Sequence, residues 1–245
     1  MAILEIEGLS RAFGGLLAVD QFDLILEKGE IVAIIGPNGS GKTTLFNLIT
    51  KRLRPNSGKV LFKGENITSL SPSQICRKGL CRSFQRTNIF AGLTAFQNVQ
   101  MAFVSAQKKT STLFSPVKEM FSEEILKMLD SLGIADQAGV MACNLSHGDQ
   151  RRLEVAIALA LEPELLLLDE PTSGMAPKER FSMIDLIKNL TIKRGLTLLF
   201  IEHDMDIVFS AAQRIIVMHQ GKLVAEGKPE EVRENMEVRR IYLGE

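Results

Sequence analysis

Residues 31–49 constrain this chain more than any other stretch. Ile31-Val32-Ala33-Ile34-Ile35 is an unbroken apolar run, Leu45-Phe46-Asn47-Leu48-Ile49 reads as helix, and between them lies Gly36-Pro37-Asn38-Gly39-Ser40-Gly41-Lys42-Thr43-Thr44. Strand, glycine-rich turn and helix in that order are the context that the phosphate-loop pattern G-x-x-x-x-G-K-[ST] requires. Gly36, Gly39 and Gly41 permit backbone conformations closed to residues with a β-carbon, so successive N–H groups can converge on an anion. A helix starting near Lys42 adds the positive end of its dipole. Lys42 then reaches the outer phosphates as a compact charge, and Thr43 offers a hydroxyl to Mg²⁺. The stretch predicts a nucleoside triphosphate site on a buried strand.

The rest of the chain supports an α/β fold. Leu4 and Ile6 alternate with Glu5 and Glu7, and Phe22, Leu24 and Leu26 alternate again before the turn at Glu27-Lys28-Gly29-Glu30. Asn56-Ser57-Gly58 reads as another turn and Lys59-Val60-Leu61-Phe62 as a strand. From about Ser71 to Glu162 helical periodicity replaces alternation, with helices expected over Thr94–Ala106 and Ser122–Leu132, joined through the polar loop 107–112. Unbroken apolar strands then return at 165–168, 196–201 and 215–218, separated by a helix from Pro177 to about Arg194. Such strands alternating with helices imply a mainly parallel sheet covered on both faces. We expect one domain: an antiparallel β layer over about 1–70, a nucleotide-binding core from 29–55 and 163–220, a helical subdomain over about 86–162 and a helical tail over 228–245.

Bulk properties exclude some classes. Lys+Arg and Asp+Glu balance at 29 each, so no basic field argues for nucleic acid. Cys76, Cys81 and Cys143 lack metal-ligand spacing and read as buried free thiols in a reducing compartment. No basic-then-apolar signal opens the sequence, and no apolar run approaches the roughly 18 residues that span a bilayer. A cytosolic protein is expected, with any membrane contact peripheral.

Leu165–Leu168 ends in Asp169-Glu170, placing two carboxylates at the carboxyl end of a buried strand, where ligands bind in open α/β sheets. Asp169 is placed to hold the metal, and Glu170 to polarise a water for in-line attack on a γ-phosphate. His203 ends the next strand and sits beside them if the two strands are neighbours. Gln85 can ligate Mg²⁺ through its amide oxygen. Ser146 can cap a helix with the apolar stripe Leu153, Ala156, Ile157, Ala160 and Leu161, and with Gly148 it makes a second anion site at that helix N-terminus.

The phosphate loop, Gln85, Leu145-Ser146-His147-Gly148-Asp149, Leu165–Thr172 and Glu202-His203-Asp204, in this order and spacing, resemble the ATPase subunit of an ATP-binding cassette transporter over nearly the whole chain. The resemblance implies that the stretch at Ser146 of one subunit closes on the γ-phosphate held by another, so that two ATP molecules are sandwiched in a head-to-tail dimer of identical or paralogous subunits. It also implies that Phe13 stacks on adenine. Two departures stand out. His147 and Asp149 replace the usual glycine and glutamine, and Ala176 ends the loop Ser173-Gly174-Met175-Ala176 where an aspartate is usual.

Finer resemblance points to the subfamily serving branched-chain amino acid importers. It rests on Ala12-Phe13-Gly14-Gly15, on 46–50, on Gly79–Gln85, on Arg151–Glu154 and on the ending Ile241-Tyr242-Leu243-Gly244-Glu245. The lipopolysaccharide-export ATPase, with a similar ending, is the alternative. The expected partners are transmembrane permease subunits at the cytoplasmic face of the membrane, a second ATPase subunit and, indirectly, a solute-binding receptor. Phe90, Phe96 and Met101 are candidates to line the groove for a permease helix. A soluble cassette ATPase of DNA repair or translation would need a coiled-coil insertion or second cassette that 245 residues do not hold. A kinase on the same loop would have no use for Ser146 and Gly148.

Overall fold

A computed structural model describes residues 1–83, 89–106 and 121–243. Gln85 and the polar loop 107–112 lie outside the described residues. In chain order the elements are β1 (Ala2–Phe13), β2 (Leu16–Glu27), β3 (Ile31–Ile35), α1 (Lys42–Ile49), β4 (Ser57–Phe62), β5 (Glu65–Asn66), α2 (Pro72–Arg77) and β6 (Leu80–Arg82). Then come α3 (Ala95–Ala106), α4 (Ser122–Ser131), α5 (His147–Leu159), β7 (Leu165–Asp169), α6 (Pro177–Arg194) and β8 (Thr197–Ile201). The chain closes with α7 (Met205–Ala211), β9 (Arg214–His219), β10 (Lys222–Gly227), α8 (Pro229–Glu234) and α9 (Met236–Leu243).

Two sheets result. β2-β1-β4-β5 is antiparallel, and the other sheet runs β10-β9-β3-β8-β7-β6. In the second sheet β9, β3, β8, β7 and β6 are parallel, and β10 adds an antiparallel edge. Period two decides the packing. Ile31, Ala33 and Ile35 of β3, Leu166 and Leu168 of β7, and Leu198 and Phe200 of β8 face one apolar cluster with the helices α3 to α6. Val32, Ile34, Leu165, Leu167, Leu199 and Ile201 face the opposite cluster, shared with β1, β2 and α1. Each fully buried Leu or Ile contributes roughly 1.5–3 kcal/mol of transfer free energy. A sheet apolar on both faces therefore cannot lose either covering layer cheaply.

Three readings need correction. The turn at Asn56-Ser57-Gly58 is shorter than expected: β4 already begins at Ser57, because Asn56 N–H is anchored on the Ser10 carbonyl (2.8 Å) and a register shift in the β1–β4 pairing absorbs the bend. The stretch after Ser71 is not purely helical. β6 pairs parallel with β7, Leu80 opposite Leu165 and Arg82 opposite Leu167, and three residues are too few to display an alternation. The stripe on α5 also differs. The helix ends at Leu159 and buries Leu153, Val155, Ala156, Ala158 and Leu159, while Ile157 and Leu161 are only partly buried. It is packed on more than one side, with Arg151 and Glu154 paired at 2.8 Å among those buried residues.

Candidate nucleotide site

β3 delivers the chain into the glycine turn and α1 carries it away. The turn is closed on its outer side. A β-carbon at Gly36 would lie 2.1 Å from the Met218 carbonyl oxygen, and one at Gly41 would lie 2.2 Å from that of Ala18. Gly41 also has φ of 104°, a conformation that L side chains rarely adopt. Both glycines are needed for fit. Gly41 is the N-cap of α1 and offers no side-chain acceptor, so the first N–H groups of the helix have no cap from it. Lys42 is buried and donates from Nζ to the carbonyls of Gly36 (2.7 Å) and Pro37 (3.0 Å), with Ser40 Oγ at 3.4 Å. Burial lowers its pKa, opposed by the charges of Glu170 and Asp169.

β8 lies between β3 and β7, so the carboxyl ends of these parallel strands share one edge. That order brings His203 to Glu170, with Nε2 and Oε1 2.9 Å apart. Phe13, Leu16, Ala18, Asn38, Gly39, Gly41, Lys42, Thr43, Thr44, Glu170 and His203 line one open cleft of about 370 Å³. Phe13 is 45% exposed, with the Arg11 guanidinium 4.9 Å from its ring centre on one side. A ring that exposed, at the rim of a polar cleft, is not a core residue. Glu170 holds φ of 51°, a left-handed conformation that costs about 1 kcal/mol or more in a residue with a side chain.

Asp169 is placed differently from its neighbour. It is buried and pairs through Oδ2 with Arg82 Nη2 at 2.7 Å, while Oδ1 is buried with no hydrogen-bond partner. Burial raises its pKa, and the Arg82 charge is the largest opposing influence. An acceptor oxygen orphaned next to the phosphate loop fits a divalent cation, which would satisfy it.

Ser146 and Gly148 do not line this cleft. Ser146 is exposed and caps α5: Oγ accepts from the Asp149 N–H (3.1 Å) and donates to Asp149 Oδ2 (2.8 Å). The ring of His147 lies over Gly174, where a β-carbon would come within 2.7 Å of Cε1. Gly148 faces Met175, whose Cε lies 3.4 Å from where a β-carbon would stand. Thus the stretch at Ser146 and the loop 173–176 form one surface. Phe90 and Met101 are exposed and Phe96 is half-buried.

Two residues that organise the site were not singled out by sequence reasoning. Arg82 pairs with Asp169 and also donates to Asn47 Oδ1 (2.8 Å), and it sits on a strand too short to announce itself. Glu202 is buried, and its Oε1 accepts from the Thr172 N–H (2.9 Å) and Oγ1 (2.6 Å), fixing the turn after Glu170. Its signal was available: like Asp169, it follows an unbroken apolar strand. Burial raises its pKa against those donors.

A family model described as ABC transporter matches residues 19–173, and one described as branched-chain amino acid ATP-binding cassette transporter matches residues 222–245. The chain is 40% identical over 252 residues to the high-affinity branched-chain amino acid transport ATP-binding protein LivG of Escherichia coli K12, covering 99% of this chain and 98% of that one. It is 39% identical over 251 residues to the high-affinity branched-chain amino acid transport ATP-binding protein BraF of Pseudomonas aeruginosa, at 99% and 98% coverage. Among solved structures, a nucleotide-free ATP-binding cassette from an ABC transporter superposes with a TM-score of 0.87 at 31% identity and full coverage of both chains. The ADP conformation of an ATP-binding cassette, MJ1267, gives 0.84 at 31% identity, again covering both chains fully. Likeness of this extent, in sequence and in backbone alike, accounts for the cleft, and the chain belongs to the ATPase subunits of ATP-binding cassette transporters.

Proposed function

We propose that this chain energises import of branched-chain amino acids or related polar solutes by binding and hydrolysing ATP between two such subunits. The observation that carries the reading is the single cleft in which the phosphate loop, Glu170, His203 and Phe13 meet. Adenine stacks on Phe13, the backbone amides of residues 36–44 hold the phosphates, and Lys42 exchanges its carbonyl partners for phosphate oxygens. Thr43, Asp169 and Gln85 would hold Mg²⁺, which neutralises phosphate charge when bound. Glu170 orients the attacking water and takes its proton on a carboxylate oxygen as the oxygen bonds to the γ-phosphorus and the β–γ bridge breaks. His203 steadies Glu170 and faces the same phosphate.

Ser146, exposed, and Gly148, half-buried, both outside the cleft, serve the nucleotide of a second subunit. Loss of phosphate removes the charge that both faces grip, and the dimer opens. The antiparallel layer, nucleotide-binding core, helical subdomain and tail expected above move as parts of this cycle. No helix among the described residues is long and apolar enough to cross a membrane. In this reading the subunit meets the membrane at its permease, against Phe90, Phe96 and Met101.

Glu170→Gln should retain ATP binding and lose turnover by about 10²–10⁴-fold, the usual contribution of a general base. With ATP it should elute from size exclusion as a dimer, and adding Ser146→Arg should return it to monomer. Turnover within tenfold of the parent removes Glu170 from its role. An ATP-dependent dimer that survives Ser146→Arg removes the sandwich.

A further inference from the structure

Cys76 and Cys81 take no part in the nucleotide cleft. They lie at the end of α2 and in the middle of β6, joined by a turn in which Gly79 N–H donates to the Cys76 carbonyl at 2.9 Å. That turn brings the two sulfurs to 3.1 Å, roughly 1 Å from the ~2.05 Å of a disulfide. Both are free thiols, and their exposure differs: Cys81 is buried, whereas Cys76 is half-buried and lines an open cavity of about 400 Å³ with Ser73, Arg77 and Lys78.

That difference in exposure assigns separate roles, and the electrostatics run in the same direction. The Cys81 S–H and the neighbouring Arg77 charge lower the Cys76 pKa against the opposing effect of burial. Cys81 is shifted upward, by its bond to Cys76 and by burial. Cys76 is thus the accessible, thiolate-prone sulfur and Cys81 the protected one beside it, the arrangement of an attacking and a resolving thiol.

We propose that Cys76 and Cys81 form a dithiol modification site at which a hydroperoxide drives closure of an intrachain disulfide. The Cys76 thiolate attacks one peroxide oxygen and the O–O bond breaks, giving Cys76 sulfenic acid and hydroxide (or alkoxide). The Cys81 sulfur then attacks the Cys76 sulfur and expels the sulfenic oxygen, which leaves as water with the Cys81 proton. Two thiols are oxidised by two electrons, and one peroxide is reduced to water (or water and an alcohol). The bridge would tie the end of α2 to the strand whose next residue, Arg82, is the counter-ion of Asp169.

The test uses the full-length reduced protein, limiting hydrogen peroxide, alkylation and trypsin. Cleavage after Lys63, Arg77, Lys78 and Arg82 separates the cysteines, so the bridge joins peptides 64–77 and 79–82 with loss of two hydrogens. Exposed Cys143 is the internal control, and bridging is expected at least about tenfold faster than its oxidation, as for a thiolate-prone site. Cys76→Ser should leave Cys81 alkylatable after unfolding. Cys81→Ser should leave a sulfenic acid on Cys76 that dimedone traps. Oxidation of Cys143 first, intact thiols at 76 and 81, or Cys76 sulfinic acid without the linked peptides would each overturn the proposal, and none depends on a variant folding.

Discussion

Arg82→Met removes the ion pair that holds the acidic side of the nucleotide site, together with the hydrogen bond from Arg82 to the uncharged Asn47 at Oδ1. The arginine side chain is 5% exposed and that of Asp169 is wholly buried, at 2.7 Å. The guanidinium also lies 5.3 Å from the Phe46 ring centre, so methionine retains an apolar contact while removing the charge. What remains is a buried carboxylate whose Oδ1 already lacks a partner. Removing one member of a buried pair costs about 3–5 kcal/mol, a large part of the roughly 5–15 kcal/mol that keeps a domain folded. The sign with pH follows from linkage. Asp169 already sits above its ordinary pKa of 3.8, and losing Arg82, the main opposing charge, moves it higher. A group with a raised folded pKa binds more protons in the native state, so its penalty grows as pH rises through the window between unfolded and folded values. It vanishes below that window. Urea unfolding without nucleotide should therefore show the full deficit at pH 8 and a smaller one at pH 5. Asp169→Asn added to Arg82→Met should recover part of the loss at pH 8. A deficit below about 1 kcal/mol at pH 8, or one indifferent to pH, would refute the claim that Arg82 neutralises a charged Asp169.

Other substitutions probe the loop and the turn beside it. Gly41→Ala drives a β-carbon to 2.2 Å from the Ala18 carbonyl oxygen and should cost on the order of 2–4 kcal/mol in thermal or urea unfolding. A fluorescent ATP analogue should then bind at least tenfold more weakly, and parental affinity would show the loop tolerates a side chain there. Glu202→Gln keeps an acceptor for Thr172 and removes a buried charge whose pKa is raised. By the same linkage the parent loses stability as pH rises through that raised value. The variant's melting temperature should gain on the parent's between pH 5 and pH 8, and a constant difference would count against a buried charge.

What could be read in advance depended on how much of each feature lies within one stretch of chain. The phosphate loop is contiguous: its spacing states which N–H groups converge, and the structure adds only the reason no side chain fits at Gly36 and Gly41. Asp169, Glu170 and His203 were legible as strand ends, because a charge following an apolar run can only emerge at a sheet edge. Their convergence still required β8 to lie beside β7, a fact of topology that no local pattern carries. β6, Arg82 and the pairing of Cys76 with Cys81 were illegible for the opposite reason. A three-residue strand has no period, and a buried arginine looks like a solvated one until its partner, remote in sequence, is placed.

The expectation of three buried thiols fails on the same ground, since Cys143 is exposed and Cys76 only half-buried. The departures at His147, Asp149 and Ala176 carry the argument furthest. Along the sequence only Ala176 reads as a lost contact, because Ser146 and Gly148 stay intact beside His147 and Asp149. In the fold, Asp149 returns to the Ser146 hydroxyl it would otherwise leave free, and the His147 ring covers Gly174, two residues before Ala176. A histidine over a glycine requires the glycine, so the loop 173–176 and the stretch at Ser146 constrain each other, and a change in either has to be read on the surface they share.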